Sequence, residues 1–261
     1  AKQVMITGCG TYLSPDKEPY NEKEHHVKNA GASVAIGGFV GGLKNGTLTI
    51  QDSFSAVNIG GNDTASVNVG GFVGLADGGS LTMNNSYTSC VVDAEGKTGA
   101  YAGGLAGQVT AALTARNCFT TCDVSAKADA NSYSGGAFGY LSNGTLNDIL
   151  SYGRVTWKGG TTEHEKDFSG GFVGKNEGSV AFPDCYYLSM KEYNVTGNDI
   201  ATWKSHKELR LKTVPTYQKG LTHAYNADLK TKEFPFPLMK KADGKELLPY
   251  YGNWSADLGD R

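Results

Sequence analysis

Gly70-Gly71-Phe72-Val73-Gly74 decides the fold, because variants of this stretch return at 37–41, 103–107, 135–139 and 170–174. The five starts lie 33, 33, 32 and 35 residues apart. A return at nearly constant spacing means one supersecondary unit stacked repeatedly. A glycine-rich stretch invites comparison with a phosphate-cradling loop, but such a loop opens a helix. No helical periodicity follows any copy, so the box reads as part of a rung.

Working outward from the box, Leu48, Leu81, Leu113, Leu146 and Val180 recur ten or eleven residues after its first glycine. Four residues further on stand Asp52, Asn85, Asn117, Leu150 and Asp184. Four of these five are Asn or Asp, which turn a chain by hydrogen bonding to nearby backbone. Next come Phe54, Tyr87, Phe119, Tyr152 and Tyr186, one aromatic per copy, which are expected to stack. Three short strands per unit follow: one around the box, one around the leucine, one from the corner through the aromatic. Val67, Val69, Gly71 and Val73 alternate at period two and are expected on one face of the first. The expectation is an all-β fold, a right-handed parallel β-solenoid of about five rungs of ~33 residues, each satisfying its backbone through its neighbours.

The repeat region spans 31–199. Residues 1–30 read as an N-terminal partial rung or cap, since Cys9-Gly-Thr-Tyr12 is similar to Cys185-Tyr-Tyr187. Residues 200–261 carry no repeat and read as a C-terminal cap covering the last rung, whose open edge would otherwise pair with other chains. Within the cap, 204–211 suggests a helical turn or two and Asp243-Gly244 a hairpin.

Composition narrows the function classes. A net charge of −2 with 19% charged residues, and no basic stripe, argues against nucleic acid. No apolar run approaches the ~20 residues that a membrane-crossing helix needs, so this segment is expected not to be transmembrane, and any export signal or anchor to lie outside it. Thirty-six glycines against 7 prolines fit ordered tight turns. Five cysteines, an odd count without a CxxC pair, favour neither a disulfide framework nor a zinc site.

The boxes, with Gly79-Ser-Leu81 and Asn85-Ser-Tyr87, and with Asp52-Ser-Phe54 and Asp184-Cys-Tyr186 in other copies, resemble the GLUG motif. The third and fourth copies depart from it inside the box, at Leu105-Ala106 and Ala137-Phe138. The resemblance covers residues 31–199 and implies a bacterial secreted or cell-surface protein, adhesin-like, with an extracellular location. The motif is structural and supplies no catalytic residue. Zinc-protease members carry HExxH elsewhere in longer chains, and none occurs here.

The segments that differ most between copies, 60–66, 93–100, 126–133 and 159–168, map to loops on one side of a solenoid, often the binding side. The candidate ligand-binding residues are therefore Asp93, Glu95, Lys97, Tyr133, Trp157, Glu163, His164 and Glu165. Tyr133, Tyr140 and Trp157, if exposed, would stack on a sugar or a protein. The partner implied is a host glycan or glycoprotein, with mucin and immunoglobulin as candidates, and self-association is a further possibility. No catalytic residue, metal or cofactor is expected: His25-His26 and His164, each beside glutamates, point opposite ways on extended chain. Acidic turn residues such as Asp77 lack the nonapeptide that holds calcium between coils. A filament or stalk subunit, and a polysaccharide-cleaving β-helix needing two converging carboxylates, are the alternative functions.

Cys90 and Cys122 share a repeat position, with Val57 and Val155 placed in the flanking copies. On adjacent rungs their Cα atoms would lie ~4.8 Å apart, within disulfide range. A ladder of free thiols packed as small hydrophobes is the alternative and the favoured reading. Cys118 and Cys185 share another position, with Ser53, Ser86 and Ser151, two rungs apart and out of bonding reach. Sequons such as Asn45 and Asn143 read as turn chemistry.

Overall fold

The computed structural model describes residues 2–12, 26–29, 33–151, 153–157, 167–178, 180–181, 185–188, 202–204, 239–240 and 246–247. Among them there is no helix. Strands of successive rungs pair parallel and in register through three stacked sheets, a β-solenoid of about 4 turns. The only antiparallel pair among the described residues, Met239–Lys240 with Glu246–Leu247, flanks Asp243-Gly244.

One rung shows the path. Ile59–Asp63 belongs to a five-stranded sheet, here called the flank sheet, and Ser66–Gly70 to a second, the middle sheet. Val73–Thr88 then runs through a long sheet, bending at Gly78 and Gly79, whose φ values are 68° and 73°. The glycine box is thus not one strand. It is the corner between Gly70 and Val73, and it divides the alternation of Val67, Val69, Gly71 and Val73. Val67 and Val69 face a core shared by the flank and middle sheets, while Phe72 and Val73 face another inside the long sheet.

Burial accounts for the rows inside those cores. Leu48, Leu81 and Leu113 stack in register, as do Ile50, Met83 and Ala115, and all are at most 2% exposed. Phe54, Tyr87 and Phe119 stack face to face, with centroids 5.3 and 4.7 Å apart and rings within 10° of parallel. Ring pairs of this kind add about 0.5–1.5 kcal/mol beyond their area burial.

The corner before the aromatic uses left-handed backbone. Asp52, Asn85 and Asn117 have φ of 49°, 48° and 48°, a region that Asn and Asp enter more readily than other side chains. Their side chains bond one another between rungs. Asn85 Nδ2 donates to Asp52 Oδ1 and Asn117 Nδ2 to Asn85 Oδ1, each at 3.1 Å. In the next row Ser53 and Ser86 donate to the carbonyls of Gln51 and Asn84, and the Cys118 thiol donates to that of Arg116.

The fourth rung corrects the fixed-offset alignment. Phe119 pairs with Leu150 rather than Tyr152, Cys118 with Ile149 rather than Ser151, and Leu146 with Ala115 rather than Leu113. The corner falls 15 residues after the first box glycine at Asp52 and Asn85, 14 at Asn117 and 13 at Asp148. The tight turn after the box shortens, and everything beyond it moves by two. Ser86, Cys118, Ile149 and Cys185 form one row, so Cys118 and Cys185 are two rungs apart, as expected. Pairing also extends past the last box, where Thr202–Lys204 joins Tyr186–Leu188. Lys204, where a helical turn was expected to begin, is strand, and the rest of that stretch, 205–211, lies outside the described residues.

The box glycines have no positive φ. They are required because backbone packs on backbone. A Cβ on Gly71 would fall 1.9 Å from Gly104 O. One on Gly42 would meet nothing closer than 3.8 Å. Gly71→Ala is expected to destabilise the fold by ~2 kcal/mol or more and Gly42→Ala by less than ~0.5 kcal/mol. Urea denaturation of the two variants side by side checks this.

Candidate functional site

The flank sheet turns alternate side chains outward. Val92 and Ala94 are buried, so their neighbours Asp93 and Glu95 stand together on the outer face. Register places Ser125 and Thr156 beyond Asp93, and Asn62 and Lys127 on either side of Glu95. Neighbouring rungs are ~4.8 Å apart, within hydrogen-bonding reach for these side chains. Glu95 accepts from Asn62 Nδ2 at 2.8 Å and from Lys127 Nζ at 3.0 Å. Asp93 accepts from the Ser125 hydroxyl. One row along, Arg154 Nη2 lies 3.0 Å from Asp123 Oδ2. The result is a ribbed polar face with donors and acceptors repeating along two axes.

Both charged pairs are about 40% exposed, and pairs in that setting contribute little to stability. They hold side chains in fixed places at the surface. The Glu95 carboxylate beside Lys127 raises that ammonium above its ordinary range. Such an array offers simultaneous hydrogen bonds to a hydroxylated or charged ligand lying across the rungs.

Lys97 is exposed at the turn after Gly96, at the rim of this face. Tyr133 is not on it. Tyr133 sits in the middle sheet and is 6% exposed, so its ring is not the open stacking surface expected of it. Trp157 pairs with Ala126, which pairs with Ala94. Glu163, His164 and Glu165 lie outside the described residues. Asp93, Glu95 and Lys97 are therefore the three expected residues brought together. Sequence reasoning missed Asn62, Ser125, Asp123, Lys127 and Arg154. The 33- and 32-residue separations of Asn62, Glu95 and Lys127 were the signal that could have found them.

Tyr133 belongs to a second cluster, where the middle sheet meets the arm after the box. Tyr101 and Tyr133 are in register, with centroids 5.2 Å apart, and Tyr140 sits 6.1 Å from both. Lys175 Nζ lies 5.3 Å from the Tyr133 centroid and pairs with Glu177, whose Oε2 accepts from the Tyr140 hydroxyl at 2.6 Å. Burial raises the Tyr101 and Tyr140 phenols, and Glu177 raises Tyr140 further. The hydrogen bond from Lys175, then that from Tyr140, holds the Glu177 carboxyl below its ordinary range. The rings pack on one another where the middle and long sheets meet.

Among the described residues no three His, Cys, Asp or Glu side chains gather as a metal site, and no helix is long and apolar enough to cross a membrane. Comparison with protein-family models, with curated proteins and with solved structures gives no match to the chain.

The Glu177 contribution has a defined sign. A lowered folded-state value stabilises the fold above the unfolded carboxyl range near ~4.3 and is lost as pH falls through the folded value. Carboxyl NMR titration is expected to place Glu177 below an ordinary glutamate, and Tyr140→Phe to move its midpoint upward. A midpoint at or above the ordinary value in the unsubstituted chain contradicts the assignment.

Proposed function

We propose that the chain is a non-catalytic binding module of a bacterial secreted or cell-surface protein, adhesin-like, that takes a host glycan or glycoprotein such as mucin or immunoglobulin. The observation that carries this reading is a pair of outer rows on the flank sheet, Asp93 with Ser125 and Glu95 with Asn62 and Lys127, hydrogen-bonded across three rungs. A preorganised polar array loses little side-chain freedom on binding, which raises affinity per contact. The resemblance of the boxes to the GLUG motif supports the extracellular setting. In this reading the solenoid is a scaffold and the flank sheet, with Lys97 at its rim, is its working surface.

A second reading, end-to-end association into a stalk or filament, is favoured by the first strand. Among the described residues Gln3–Thr7 pairs on one side only, with Thr47–Gln51. Its Val4 and Met5 are 47% and 65% exposed. An edge of this kind is a template for another chain.

Two experiments separate the readings. On a glycan and glycoprotein array, the triple variant Asp93→Ala, Glu95→Ala, Lys97→Ala is expected to lose at least tenfold in apparent affinity. Arg116→Ala, on the long sheet, is expected to bind as the parent does. Binding that survives the triple variant, or release of cleaved sugar that one carboxylate controls, defeats the proposal. Sedimentation velocity of the chain and of Met5→Lys tests the stalk: concentration-dependent polymers, shortened in the variant, support it, and a monomer at all concentrations removes it.

A further inference from the structure

The two core clusters use four cysteines differently. Cys118 and Cys185 each take the row of a serine, and Cys118 has Ser86 and Ile149 as its register neighbours. Cys90 and Cys122 are register neighbours of each other, one residue before the paired strands that begin with Val91 and Asp123. Their sulfurs are 2.7 Å apart inside the core shared by the flank and middle sheets. A disulfide holds its sulfurs at about 2.05 Å and accepts Cα separations of ~4.4–6.8 Å. Adjacent rungs at ~4.8 Å satisfy that without moving backbone.

The surroundings leave the pair nothing else to do. Val57 precedes it in the row as expected, but Gly153 follows in place of Val155, which pairs with Val124, and a Cβ on Gly153 would strike Cys122 O at 1.8 Å. The Cys90 N–H donates to Cys122 Sγ at 3.2 Å, and the Thr120 hydroxyl accepts from the Cys122 N–H. The first bond holds the Cys122 sulfur toward Cys90, and the second holds the Cys122 backbone. Burial, then the neighbouring sulfur, raises the Cys90 thiol well above its ordinary range. Burial acts the same way on Cys122, but hydrogen bonds to its sulfur, that from Cys90 first, carry its net shift downward.

We propose that Cys90 and Cys122 are a modification site, a dithiol that closes to an inter-rung disulfide by exchange with a low-molecular-weight disulfide. Cys90 is 8% exposed and Cys122 wholly buried, so Cys90 is the sulfur that the small reagent RSSR meets. Cys90 releases its proton to water, and its thiolate sulfur attacks RSSR, so that the RS–SR bond breaks as the Cys90–SR bond forms and one RS⁻ leaves. Cys122 thiolate then attacks Cys90 sulfur, the Cys90–SR bond breaks as the Cys90–Cys122 bond forms, and the second RS⁻ leaves. The protein dithiol is oxidised by two electrons, RSSR is reduced to two RSH, and the two thiol protons leave with them. The bond would staple the third rung to the second at the base of the face that carries Asp93 and Glu95.

The test is direct. The full chain, reduced and then equilibrated with oxidised glutathione without oxygen, is unfolded, alkylated and mapped by tryptic mass spectrometry. A peptide holding Cys90 is expected joined to 117–127, with Tm raised by about 5–10 °C over the reduced chain. Because 117–127 contains both Cys118 and Cys122, the map is repeated on Cys118→Ser, which is expected to keep the crosslink. Cys90→Ser is expected to lose both crosslink and Tm shift. Full alkylation of Cys90 and Cys122 while exposed Cys9 carries glutathione overturns the proposal, and so does a crosslink that Cys118→Ser abolishes. The map of the unsubstituted chain needs no variant to fold.

Discussion

Backbone packed directly on backbone at the corner after Gly70 sets the dimensions of every rung. Gly71 N bonds Gly103 O and Gly38 N bonds Gly71 O, each at 3.2 Å. Gly74 lies so close to the preceding rung that a Cβ would fall 2.4 Å from Ile36 N. Nothing larger than hydrogen fits, and the cause is proximity rather than an unusual φ. Once the corner is this tight, the sheets on either side must stack in register. A slip of one residue would turn every inward side chain outward.

Register then makes rows, and rows divide the labour of the sequence. Inward rows select by volume, as Leu48, Leu81 and Leu113 do, since close-packed cores respond to a single methylene. Corner rows select by backbone, so Asp52, Asn85 and Asn117 keep a left-handed residue. Outward rows are released from both demands. In Val91–Gly96, buried Val92 and Ala94 answer to the core, while Asp93 and Glu95 answer only to neighbours on the same face. The chemistry of that face can change without touching the scaffold.

This division explains what was legible. Glycine boxes, leucine rows and the Asn/Asp corner are local requirements repeated at fixed spacing, so the fold class could be read from them. The fourth rung could not, because its shorter turn shifts Leu146, Leu150 and Ser151 by one register step of two residues, and only pairing reveals the shift. The box reads as a strand in the sequence because Val67, Val69 and Val73 alternate, yet a corner between them sends Val73 to a different core. Tyr133 reads either way in the sequence, since a ring in a polar loop can stack on a ligand and a solenoid also buries such rings. Its burial depends on Tyr101 and Lys175 from the neighbouring rungs and on Tyr140 from the next strand of its own rung.

The candidate face was half legible for the same reason. Asp93, Glu95 and Lys97 are close in sequence, and a variable segment drew attention to them. Asn62 and Lys127 are each about one rung from Glu95, and their approach to it is a property of stacking alone. A solenoid therefore builds a surface from residues that no linear motif contains, and spacing by one rung is the pattern to search. The same spacing brings Cys90 to Cys122 and leaves Cys118 without a sulfur neighbour in its row, because the rung from box to box decides which side chains meet. What one rung can hold for the next, whether a hydrogen bond, a ring or a thiol, is settled at the glycine corner where the rungs are pressed together.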